Sequence, residues 1–129
     1  MVKAAEASQP LVVYPSLART ATPTPEVVIA PKGAQGLILF VNATAISATP
    51  SVVFNIDIYD PVGAAAVPGV ILASTAVTAI STRVLRVHPQ LTASANLIAK
   101  DMVPGAFRVN PVHGDADSIT YYVVAFFSF

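Results

Sequence analysis

Two histidines, His88 and His113, and the carboxylate pair Asp115 and Asp117 are the residues of this chain whose types and spacing suggest chemistry. His113 with Asp115 and a serine would be the raw material of a hydrolytic triad, in which the imidazole takes a hydroxyl proton and the carboxylate orients the ring. No GxSxG elbow is present to expose such a serine. An imidazole in a surface turn is the simpler reading, and the chain is expected not to be an enzyme. Asp115-Ala116-Asp117 has the alternate spacing of calcium loops but lacks the further acidic ligands that a six- to eight-oxygen site takes. Both aspartates read instead as Asx-turn residues that bond their own backbone. Asp57 and Asp60 do not share a strand face. Gly33-Ala34-Gln35-Gly36 has no phosphate-loop context. No catalytic residue, metal or cofactor is therefore expected.

Charge narrows the partners further. Seven Lys and Arg balance seven Asp and Glu, so no net field attracts nucleic acid or an anionic membrane. Arg83 and Arg86 fall on opposite faces of one strand, which leaves no basic patch; one of them is expected to pair with Asp57 or Asp60. Tyr121, Tyr122, Phe126, Phe127 and Phe129 lack neighbouring cations, so they read as core or protein interface rather than as base-stacking platforms. Cysteine is absent, which removes disulfides and thiolate sites. The first ten residues carry an acid and no apolar h-region, so no secretory signal is expected. The longest uncharged apolar run, Val62 to Ala73, is too short and too rich in Gly and Pro for a bilayer crossing.

The elements that must position these residues are strands. Val, Ile and Thr supply 38 of 129 residues, and eleven prolines and six glycines cut the chain into strand-sized pieces. Pro10 to Thr20 predicts an edge strand broken at Pro15, because proline cannot donate to a ladder. Glu26 to Ala30 is a second strand, ended by the turn at Pro31 to Gly36. Ser51 to Asp60 alternates, placing Val52, Phe54, Ile56 and Ile58 toward the core. Asp60-Pro61-Val62-Gly63 is an Asx-opened turn, followed by strands over Gly69 to Ala79 and Thr82 to His88. Leu91 to Lys100 is the one plausible helix. Ala106 to Val112 and Ser118 to Phe127 close the chain as two strands joined hairpin-fashion through His113 to Asp117. The expected fold is an all-β antiparallel sandwich, jelly-roll or immunoglobulin-like, of seven to nine strands with at most one short helix. Residues 1–25 are expected to form an extended arm with a short edge strand, and residues 26–129 the sandwich.

Gly36 to Thr44 and Ser118 to Phe129 are apolar on both faces, so both strands are expected to be covered on two sides. A sandwich of this size has one interior, and one surplus apolar face must lie under a loop, the N-terminal arm or another subunit. The candidate interface residues are Leu37, Leu39, Val41, Tyr122, Val124, Phe126, Phe127 and Phe129. Hydrophobic residues are 54% of the chain and charged residues 11%, as suits a component with large protein contacts.

One resemblance rests on blocks in order along the chain. These are Ala18-Arg19-Thr20-Ala21-Thr22, Ile71-Leu72-Ala73-Ser74-Thr75-Ala76-Val77-Thr78, Leu85-Arg86-Val87-His88-Pro89 with Leu91-Thr92, and His113-Gly114-Asp115-Ala116-Asp117-Ser118-Ile119-Thr120-Tyr121. Together they make most of the chain, roughly residues 11 to 125, resemble a family of small tailed-bacteriophage virion proteins encoded among head-assembly genes. His88 and Gln90 depart from the Tyr and Gly usual there. The resemblance implies a structural particle component, most specifically a head decoration or cement protein. Such a protein binds the outer capsid surface, contacts the major capsid protein and itself, with a trimer favoured, and is made in the host bacterial cytoplasm. It carries over no active-site residue. The alternatives are a phage tail or fibre component, or a host- or carbohydrate-binding β-sandwich module.

Overall fold

Strong β-formers held between Pro and Gly breaks fold as ten strands, and among the described residues there is no helix. The computed structural model describes residues 2–5 and 9–129, apart from the side chains of 66–70. The strands are β1 (Val2–Ala4), β2 (Leu11–Arg19), β3 (Glu26–Ile29), β4 (Gly36–Ile46), β5 (Val52–Asp60), β6 (Ala65–Ala73), β7 (Ser81–Val87), β8 (Ile98–Ala99), β9 (Ala106–His113) and β10 (Ile119–Ser128). Ten exceeds the seven to nine expected, the surplus being the three-residue β1 and the two-residue β8.

They form two five-stranded sheets, the first in the order β1-β3-β9-β5-β6 and the second in the order β2-β10-β4-β7-β8. Every pairing is antiparallel except β1 with β3 and β7 with β8, at the sheet margins. With those two short strands set aside, the remaining eight, numbered along the chain, run 1-8-3-6 in one sheet and 2-7-4-5 in the other. That interleaving is the strand order of a jelly roll, not of an immunoglobulin sandwich.

Strand alternation decides what is inside. In β10 the side chains of Ile119, Tyr121, Val123 and Ala125 are buried, as are Leu37, Leu39, Val41 and Ala43 of β4 beside it. Val28, Val52, Phe54, Ile56, Phe107 and Val109 meet them from the first sheet. Phe54 packs edge-to-face on Tyr121 across the sandwich, with centroids 5.1 Å apart and planes at 89°. That arrangement sets the positive ring edge against the negative face. Burial of each such large side chain stabilises the fold by roughly 1.5–3 kcal/mol.

Turn chemistry follows the sequence in two places. The Val62 amide donates to Asp60 Oδ1 at 2.9 Å, forming the Asx turn that returns β5 into β6. The Ala34 amide donates to the Pro31 carbonyl at 3.1 Å, with Gly33 at a φ of 86°.

Several expectations are corrected. Leu91 to Lys100 is not helical. Its chain turns at Asn96, at a φ of 63°, and then pairs Ile98 and Ala99 with Arg86 and Val87. His113 to Asp117 does not close a hairpin, because β9 and β10 lie in different sheets and the loop crosses between them. The edge strand expected over Pro10 to Thr20 is β2, at the margin of the second sheet, and it places Val13 and Tyr14 in the core. Pro15 does stand at an edge, where the register of β2 on β10 slips so that two residues face one. Ile58 is exposed, unlike Val52, Phe54 and Ile56, at the point where the register of β5 on β6 shifts. Asp57 pairs with Arg108 at 2.8 Å, not with Arg83 or Arg86, which sit in the other sheet.

Candidate interaction face

The outward sides of the two sheets differ in chemistry. On the first sheet, Asn55 faces Asn110 and Asp57 faces Arg108 across the β5–β9 ladder. Arg108 Nη2 and Nε donate to Asp57 Oδ2 at 2.8 and 3.3 Å, so this side holds an ion pair of its own, flanked by the exposed Ile29 and Val112.

On the second sheet the ladder aligns apolar side chains into rows. Val12, Val124, Phe40 and Val84 stand abreast on β2, β10, β4 and β7. The next row is Phe126, Ile38, Arg86 and Ile98 on β10, β4, β7 and β8. Val12 is 50% exposed, Phe126 41% and Ile38 37%, while Phe40, Val84 and Val124 are half-buried only by one another's flanks. A polar row borders them, where Asn42 Nδ2 donates to the Tyr122 hydroxyl at 2.9 Å and Thr82 Oγ1 donates to Asn42 Oδ1 at 3.2 Å. The Tyr122 ring lies 6.3 Å from that of Phe40. Arg86 is the sole charged residue in these rows. A registered apolar sheet face rimmed by hydrogen-bonded polar groups has the anatomy of a protein contact surface.

The candidate interface residues divide on this geometry. Leu37, Leu39 and Val41 are no more than 2% exposed and point into the sandwich, so they are core, not surface. Gly36 to Thr44 is correspondingly covered on one side only. Tyr122, Val124 and Phe126 lie on the outward face. Phe127 turns inward against Phe107, with centroids 6.2 Å apart, and Phe129 is exposed beyond the end of β10. Val12, Ile38, Phe40 and Val84 complete the face without having been singled out from sequence. The signal was Asn42, a polar residue in phase with Ile38 and Phe40, which marks that side of β4 as the outward one.

The histidines and aspartates serve local structure. His113 Nε2 lies 3.1 Å from the Tyr121 hydroxyl, and its backbone amide donates to Thr22 Oγ1 at 2.9 Å. Asp115 Oδ1 accepts the Asp117 amide at 3.1 Å rather than orienting an imidazole, and Asp117 Oδ2 accepts the Thr49 amide at 3.1 Å. Burial lowers the His113 pKa from its ordinary 6.5, helped by the nearby Arg19 charge and opposed by Asp115. Burial raises the Tyr14 and Tyr121 phenols well above the usual tyrosine range. Among the described residues no three His, Asp or Glu side chains gather as a metal group. Comparison with family models, with curated proteins and with solved structures finds no match.

Proposed function

We propose that this chain is a structural virion protein of a tailed bacteriophage, a decoration or cement protein that binds the outer head surface and steadies neighbouring capsomers. The observation that carries the reading is the apolar outward face of the second sheet, whose aligned rows hold a single charge. A registered apolar sheet face suits attachment to a larger assembly, and the motif blocks point to the same class. The reading has the major capsid protein and further copies of this chain as partners, a trimer as the favoured oligomer, and no catalytic role.

The test is reconstitution. Purified protein is added to undecorated capsids made from the head genes of the same phage, and occupancy is read by cryo-electron microscopy. Wild-type protein is expected to saturate defined sites, and Phe126→Asp and Val124→Asp to lose occupancy while keeping a wild-type circular dichroism spectrum. Full occupancy by both variants, or no wild-type binding, overturns the reading.

A further inference from the structure

At one end of the apolar face, where β4 begins and β7 and β10 end, the surface sinks into a cleft of about 420 Å³. That size falls within the range of small-ligand sites, roughly 300–1,000 Å³. Its depth depends on Gly36, since a Cβ there would collide with Ser128 Oγ and the His88 ring. Ile38 and Leu91 give it apolar walls. Arg86 and His88 also line it, and no carboxylate does.

Two of the polar groups in the cleft, Arg86 and His88, can donate. The one ion pair among the described residues is Arg108 with Asp57, in the other sheet, so the Arg86 guanidinium has no carboxylate partner. His88 Nδ1 accepts the Gln90 amide at 3.0 Å, which puts the proton of the neutral ring on Nε2. An apolar hollow holding a guanidinium that pairs with no carboxylate among the described residues, with an N–H donor close by, is complementary to a carboxylate carried on an apolar group.

The geometry points to a recognition site for a partner protein's peptide segment in which an acidic group stands beside an apolar side chain. The cleft opens through Ile38 onto the apolar face, so a segment lying across that face would deliver the side chain to Ile38 and Leu91 and the acid to Arg86. The proposal deepens the docking reading by naming the chemistry of the partner segment, yet it is tested on the isolated protein, so its failure and that of the virion reading are separable.

The probes are 3-phenylpropionate, its uncharged analogue 3-phenylpropanamide, and a blocked phenylalanyl-aspartate dipeptide amide, each titrated into isotope-labelled protein by NMR. The acid and the dipeptide are expected to shift the amide resonances of Ile38, Arg86, Val87, Leu91 and Ser128, and the uncharged amide to bind at least about tenfold more weakly. Arg86→Gln, at an exposed position, is expected to keep the wild-type spectrum elsewhere and to lose about tenfold in affinity for both acids. Equal binding of acid and amide, shifts that map elsewhere, or no shift up to millimolar probe overturns the site. Binding of phenylpropionate without the dipeptide overturns the peptide assignment and makes the cleft a site for free carboxylic acids.

Discussion

The guanidinium carbon of Arg19 lies 4.4 Å from the centroid of the Tyr121 ring, and Nη1 of the same side chain donates to the Tyr121 carbonyl at 2.9 Å. Arg19 is only 8% exposed and, among the described residues, has no carboxylate partner. Its charge is spread instead over the carbonyls of Leu17 and Pro15, at 3.0 and 2.8 Å, and over two tyrosine faces, the Tyr14 centroid being 5.5 Å away. These carbonyls belong to the stretch where β2 slips against β10. Arg19 therefore caps backbone groups that the bulge takes out of the ladder, and it ties the edge strand to the core.

Removing that side chain should cost more than its surface burial suggests. Arg19→Met leaves three carbonyls without their charged donor and is expected to destabilise the fold by about 2–4 kcal/mol in urea melts. Arg19→Lys is expected to recover less than half of this, because an ammonium cannot span two strands as a flat fork while stacking on a ring. Full recovery by lysine would show that charge alone, not the planar geometry, holds the bulge.

Phe54 is fully buried at the centre of the sandwich and meets Tyr121 edge-on. Phe54→Ala is expected to cost roughly 3–5 kcal/mol, the transfer term plus the cavity left between two sheets that cannot collapse freely. A loss of unfolding free energy below about 1 kcal/mol in denaturant melts would contradict this placement.

The sequence made the faces of the strands legible and left their partners obscure. In β5 the alternation picks Val52, Phe54 and Ile56 correctly, because a period of two is imposed by the pleat itself. It fails at Ile58, where the ladder to β6 shifts, since alternation says nothing about where the register of a neighbouring strand slips. The segment from His113 to Asp117 has the length and turn residues of a hairpin, yet it joins two sheets, because loop composition does not encode which strand comes to lie alongside. Leu91, Ala95 and Ile98 suggest a helical stripe. Asn96 ends it after one turn: its backbone is left-handed, at a φ of 63°, and its Nδ2 donates to the Ala73 carbonyl at 3.0 Å. The outward apolar face was half legible, since β4 and β10 are visibly apolar on both sides. Which side faces out is marked in β4 by Asn42 alone, a single polar residue in the otherwise apolar run from Leu37 to Ala43.

Phe126 and Phe127 turn that sidedness into a measurement. They are neighbours of one residue type, but Phe126 is 41% exposed on the outward face while Phe127 packs against the core. Phe126→Ala is expected to change stability by less than about 1 kcal/mol, and Phe127→Ala to cost roughly 2–3 kcal/mol, less than a fully buried ring. Self-association measured by sedimentation should respond in the opposite order. Equal stability losses would mean that the two faces of β10 are equally covered in the folded chain.

His113 gives the fold a dependence on acidity whose sign follows from its surroundings. Burial is the larger cause and the Arg19 charge the next, and both disfavour the imidazolium, so the folded-state pKa lies below 6.5. Above about 6.5 both folded and unfolded chains hold the neutral ring, and His113 adds no pH dependence. As the pH falls below that value the unfolded chain takes up its proton first, so stability declines until the folded-state value is passed. Urea melts at about pH 7.5 and about pH 5.5 are therefore expected to show a loss in the wild type that is clearly smaller in His113→Gln. The glutamine keeps a polar partner for the Tyr121 hydroxyl but cannot titrate in this range. An equal loss in both proteins would remove His113 as the origin of the acid sensitivity.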